Sequence, residues 1–132
     1  MLANEQHPLN QLPVVTATQL TAYPWIWFTT GAASLDLMVS YFQQATLAPP
    51  AATVETSSAQ SAFRLMQQSN YLMLLPSTSL VTATHQGLRP LPLQRSFGHY
   101  IAGMTYRPSV RHLKAFTSFR DALLGEPASI PI

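Results

Sequence analysis

Cysteine is absent from the 132 residues, which excludes disulfides, thiolate metal ligands and a cysteine nucleophile. Charge is scarce too. Only 9% of residues are charged, against 47% hydrophobic, where about a quarter charged is usual. A surface this poor in charge points to area normally covered by something else. No run approaches the roughly 20 apolar residues of a membrane span. Met1 to Gln11 lacks the basic start and apolar core of a signal peptide, so a cytoplasmic protein with no membrane contact is expected.

Catalytic constellations are missing as well. His7, His85, His99 and His112 have no zinc-type pair spacing, and no glutamate stands in an H-E-x-x-H context. Neither a G-x-S-x-G elbow nor a glycine-rich phosphate loop is present. Most of the five carboxylates fall at expected helix, strand or tail positions without a partner. No enzyme activity, metal or other cofactor is expected.

The net charge of +2 conceals an asymmetry. Glu5, Asp36 and Glu55 precede Arg64, whereas all seven basic residues lie from Arg64 onward with Asp121 and Glu126, so the halves carry −3 and 7 − 2 = +5. Arg107, Arg111, Lys114 and Arg120 have no aromatic interleaving and belong to no nucleic-acid motif, which favours a solvated or partner-facing surface.

Among what is present, Ala51 to Pro76 carries the clearest pattern. Ala52 to Glu55 reads as extended, and Thr56, Ser57 and Ser58 supply hydroxyls where a helix begins. Ala59, Ala62, Phe63 and Met66 then recur at the spacing of one helix face. Tyr71 to Leu75 is a short apolar run stopped by Pro76, as expected of a strand covered on both sides.

Upstream, two prolines within residues 1–13 forbid a regular helix, so a connecting segment of extended or turn structure is expected. Trp25 to Thr29 is strongly β-prone. A helix from about Ser34 to Ala45 follows, with Leu35, Met38, Val39 and Phe42 on its apolar face. Downstream, a helix over about 77–86 closed by Gly87 precedes a proline-interrupted edge strand from Leu88. Tyr100 to Tyr106 reads as a strand, residues 110–124 as a helix bearing Val110, Leu113, Phe116 and Leu123, and 126–132 as a loose tail.

This alternation predicts an α/β domain with a largely parallel sheet flanked by helices. Such sheets bind ligands at the carboxyl ends of strands, beside helix starts. Two loops satisfy that rule, Thr29-Thr30-Gly31 and Thr56-Ser57-Ser58, and they face one crevice if their strands are neighbours. A helix start presents unpaired N–H groups and a positive dipole end, so a small anion or carbonyl can bind there. The plainer role of Ser57 or Ser58 is a helix cap.

In this order of elements the chain resembles the effector-binding domain of LysR-type transcriptional regulators. The resemblance is carried by His7-Pro8-Leu9, Leu20 through Ile26, Val54-Glu55-Thr56-Ser57-Ser58, Leu72 through Pro76, Gly87 through Leu91, and the closing helix with Phe116 and Phe119, and spans about residues 7–124. It implies one lobe of a two-lobed fold similar to type II periplasmic binding proteins, with a small-molecule effector, carboxylates being the first candidates, held in the cleft. Residues 1–13 would lead in from the end of lobe one, 14–96 form effector-binding lobe two, 97–124 return toward lobe one, and 125–132 form a tail. The resemblance further implies a homo-oligomer that contacts DNA only through an amino-terminal domain missing here. Thr29, Thr30, Gly31, Thr56, Ser57 and Ser58 match the effector-contacting loops. Ser69 and Tyr71 stand where the family has two glycines, and a tyrosine there is expected to narrow the cleft. Two other readings of these residues are a stand-alone small-ligand-binding α/β module without transcriptional output and an unrelated small enzyme.

Overall fold

A computed structural model of the chain describes residues 1–29, 32–101, 103–125 and 129–131. Its elements run β1 (Leu2–Asn4), α1 (Ala17–Leu20), β2 (Trp25–Phe28), α2 (Ala32–Gln43), β3 (Ala52–Thr56), α3 (Ala59–Gln67), β4 (Leu72–Met73), α4 (Leu80–Thr84), β5 (Leu88–Pro90), β6 (His99–Ile101), α5 (Lys114–Leu124) and β7 (Ser129–Pro131).

The main sheet has the order β3-β2-β4-β1-β5. β2 pairs in parallel with β3 and β4, and β1 runs antiparallel to β4 and β5. Four of the five strands therefore point the same way, which is the largely parallel sheet expected. The bulky Trp-Ile-Trp-Phe run of β2 suits a pleated surface, and its side chains alternate between faces. Trp25 and Trp27 pack with Met38 and Phe42 of α2, and Ile26 and Phe28 pack with Phe63 and Met66 of α3. β4 and its extension alternate likewise, with Leu72 and Leu74 in the first core and Met73 and Leu75 in the second.

Residues 1–13 are more than a connector. Leu2 to Asn4 sit between β4 and β5, placing Met1 and Ala3 in one core and Leu2 in the other. Three residues are too few to show a strand period, so the segment's role appears only through its partners. The buried His7 holds the following turn, its Nδ1 accepting the Leu9 N–H at 3.1 Å. Gly87 closes the α4 region as expected, in the left-handed region at φ 73°, and β5 is the edge strand.

Beyond Phe97 the architecture changes. Among the described residues no later side chain belongs to either core. β6 is shorter than the expected strand and pairs antiparallel with β7, Tyr100 opposite Ile130, where the sequence suggests a loose tail. The closing helix begins at Lys114 rather than 110, because Pro108–Val110 forms a separate 3₁₀ turn. Tyr106 and Phe116 pack with ring centroids 4.6 Å apart, while Leu113 and Phe119 are 55% and 58% exposed.

Candidate functional site

β2 and β3 end side by side. Phe28 lies opposite Thr56, and beyond it the Thr29 N–H donates to the Thr56 carbonyl at 3.0 Å. The two hydroxyl-bearing loops thus leave neighbouring parallel strands at one end of the sheet, where α/β folds bind ligands. Thr30 and Gly31 lie outside the described residues.

Within the second loop the three hydroxyls have different duties. Ser58 is the α3 cap, its Oγ accepting the Ser61 N–H at 3.3 Å, and Thr56 Oγ1 accepts the Ser58 N–H at 3.0 Å. Ser57 is exposed and its hydroxyl makes no hydrogen bond among the described residues. Cap and free hydroxyl are therefore separate residues. Ser58→Ala is expected to lower stability by about 1 kcal/mol, whereas Ser57→Ala leaves the denaturation midpoint unchanged. Paired urea titrations check this, and an equal loss in both variants would refute it.

Beside the strand ends opens a cavity of about 360 Å³ lined by Trp25, Ile26, Trp27, Phe28, Thr29, Ser34, Leu35, Met38, Glu55 and Leu74. Leu35 stands 39% exposed on the apolar face of α2 because it faces this opening rather than the core. Among the described residues the buried indole N–H of Trp27 has no partner, an arrangement that costs about 1–3 kcal/mol until an acceptor reaches it. Trp25 has no such debt, since its Nε1–H donates to the Leu20 carbonyl at 3.1 Å. Thr29 and Glu55 tie the cavity to the two loops, while Thr56, Ser57 and Ser58 stand outside its lining.

Tyr71 does not narrow this opening. It precedes β4, at the end of the strand remote from the crevice, and packs on the α3 side of the sheet. Sequence reasoning also passed over Trp25, Trp27 and Glu55 as site residues, treating them as strand. Their alternation marks one face, but only the pairing of Trp27 with Glu55 across β2 and β3 brings them together.

A second cavity, of about 410 Å³, lies on the flank of α2 between Tyr41, Ala45 and Arg95. It is away from the strand ends, and the Arg95 guanidinium is committed there, donating to the Tyr41 carbonyl at 3.0 Å and lying over its ring. Burial raises the Tyr41 phenol pKa, and the nearby Arg95 charge opposes that shift.

A mixed sheet with an open, partly apolar crevice at the ends of parallel strands defines an α/β ligand-binding lobe. Residues 1–128 match the family described as LysR substrate binding domain, and the chain belongs to that family. Domains of this family are parts of transcription regulators and bind small-molecule effectors. The chain matches no curated protein. Among the described residues no helix is long and apolar enough to cross a membrane.

Proposed function

We propose that this chain is the effector-sensing and self-associating part of a cytoplasmic LysR-type regulator, without catalytic activity of its own. Residues 14–96 form the effector lobe, β1 fastens residues 1–13 to it, and 97–124 lead toward a neighbouring lobe. DNA is contacted through an amino-terminal domain outside these 132 residues. The effector lies where β2 and β3 end, touching Thr29, Thr30 and Gly31 on one loop and Thr56, Ser57 and Ser58 on the other. A carboxylate suits the second loop, because Ser57 offers a free hydroxyl and the first amides of α3 sit at the positive end of its dipole. The observation that carries this is the Thr29 N–H to Thr56 carbonyl contact, which joins both loops at the mouth of the cavity. Occupancy would favour one lobe arrangement over another and so change assembly on DNA.

Thermal-shift screening of small carboxylates against wild type and Ser57→Ala tests the site. A stabilising carboxylate is expected to bind the variant roughly tenfold more weakly, the loss of one charge-assisted hydrogen bond. Equal stabilisation of both proteins removes Ser57 from the site.

Self-association has support in the apolar side chains of the 97–124 segment. Leu113, Phe119 and Leu123 are about half exposed, and large apolar side chains left in water are the kind of surface that association covers. Sedimentation at protein concentrations on the order of tens of micromolar is expected to give species larger than a monomer, shifted toward monomer by Phe119→Lys. A wild type that sediments as a clean monomer contradicts this.

A further inference from the structure

Resting on that reading of the site, we infer that the cavity beside it is built for an apolar molecule carrying a positively charged amine. The sign of charge decides this. Among the described residues Glu55 is the one ionisable side chain in the lining, which contains no Lys, Arg or His. Residues 30–33, next in the chain, are Thr, Gly, Ala and Ala and add no cation. All seven basic residues lie from Arg64 onward, and none of them borders the cavity.

Glu55 is also unspent. Its carboxylate forms no ion pair or hydrogen bond among the described residues, whereas Glu5 faces Arg89 at 3.8 Å and Asp121 faces Arg120 at 2.6 Å. Because Glu55 lies opposite Trp27 in the parallel β2–β3 pair, both side chains project from the same face of the sheet. Trp25 and Trp27 supply aromatic surface on that face, and Met38 closes the α2 side.

An ammonium placed there gains twice, from the carboxylate and from aromatic faces whose quadrupoles attract cations. An acid of the same shape gains neither and brings its charge toward Glu55 while losing water. A molecule carrying both groups can set its carboxylate on the Ser57 loop and its ammonium at Glu55. An α-amino acid with an apolar side chain meets that description.

Phenethylamine and 3-phenylpropionate share one apolar body and differ in charge. Trp25 and Trp27 are the only tryptophans in the chain and both line the cavity, so their fluorescence reports binding directly. Wild type is expected to bind phenethylamine about tenfold more tightly than 3-phenylpropionate, the combined effect of one exposed ion pair and one cation–π contact. E55Q should abolish that preference by weakening the amine and leaving or improving the acid. Equal or tighter binding of the acid by wild type, no response to either probe, or an amine affinity untouched in E55Q would each overturn the inference.

Failure here is separable from failure of the proposed carboxylate loop. A carboxylate response lost in Ser57→Ala alongside no amine preference overturns the amine pocket alone. An amine preference that depends on Glu55, alongside an indifferent Ser57→Ala, supports the pocket and removes the loop.

Discussion

Replacing Phe42 with alanine is expected to cost about 3–5 kcal/mol, a large share of the stability of a domain this size. Phe42 is wholly buried in α2 and meets three other rings edge-on: Trp25 at 5.7 Å, Tyr41 at 5.4 Å and Phe97 at 6.4 Å. Those neighbours cannot easily close the void. Trp25 is fixed in β2 with its indole bonded to Leu20, and Tyr41 and Phe97 are stacked on each other at 3.9 Å. A cavity surrounded by side chains that cannot relax lies at the costly end of large-to-small substitutions. Chemical denaturation should show a lower midpoint with an unchanged slope, and Phe42→Leu should recover about half of the loss. A loss below about 1.5 kcal/mol would mean that the aromatic cluster is loosely packed.

Phe42 also illustrates what sequence alone could give. Its place on a helix face follows from its spacing to Met38 and Leu35, and the outline of alternating strands and helices follows from similar local periods. Local periods do not reveal which strand lies beside which. Leu2 to Asn4 becomes a strand through pairing with Met73 and with Leu88 to Pro90, contacts distant in sequence. Ser129 to Pro131 likewise takes its structure from β6. Both short segments carry too few residues to signal a strand on their own.

The candidate site divides along the same line. That Thr29 and Thr56 end neighbouring strands was within reach, because parallel α/β sheets gather ligand loops at their carboxyl ends. The division of labour between Ser57 and Ser58 was not, since three consecutive hydroxyls are equivalent until the turn chooses its cap. Nor was Glu55. In sequence it is one residue of a strand, and it becomes a charged wall of an aromatic cavity only through its register with Trp27.

His7 is expected to make the fold sensitive to mild acid. It is completely buried beneath Tyr23, with ring centroids 4.4 Å apart. Nδ1 accepts the Leu9 N–H, which places the proton of the neutral ring on Nε2, where it donates to the Asn70 carbonyl at 3.3 Å. Burial pushes the pKa below the ordinary 6.5, and the bond to Asn70 opposes that only in part. Above 6.5 the ring is neutral in folded and unfolded chains, and the full stability is present. As pH falls below 6.5 the unfolded chain takes up the proton first, so stability is lost down to the lowered folded pKa, at up to about 1.4 kcal/mol per pH unit. A second proton would also put an N–H at Nδ1 against the Leu9 N–H. His7→Ala should cost about 2–4 kcal/mol at neutral pH by leaving the Leu9 N–H and the Asn70 carbonyl unpaired. In His7→Asn the side-chain oxygen can still accept from Leu9 but does not titrate, so part of that stability should return while the His7 share of the acid sensitivity disappears. Denaturation midpoints at about pH 7.5 and about pH 5.5 measure both effects. If wild type and His7→Asn lose the same stability between those two conditions, the acid sensitivity belongs to other groups and the buried ring is only a structural cap.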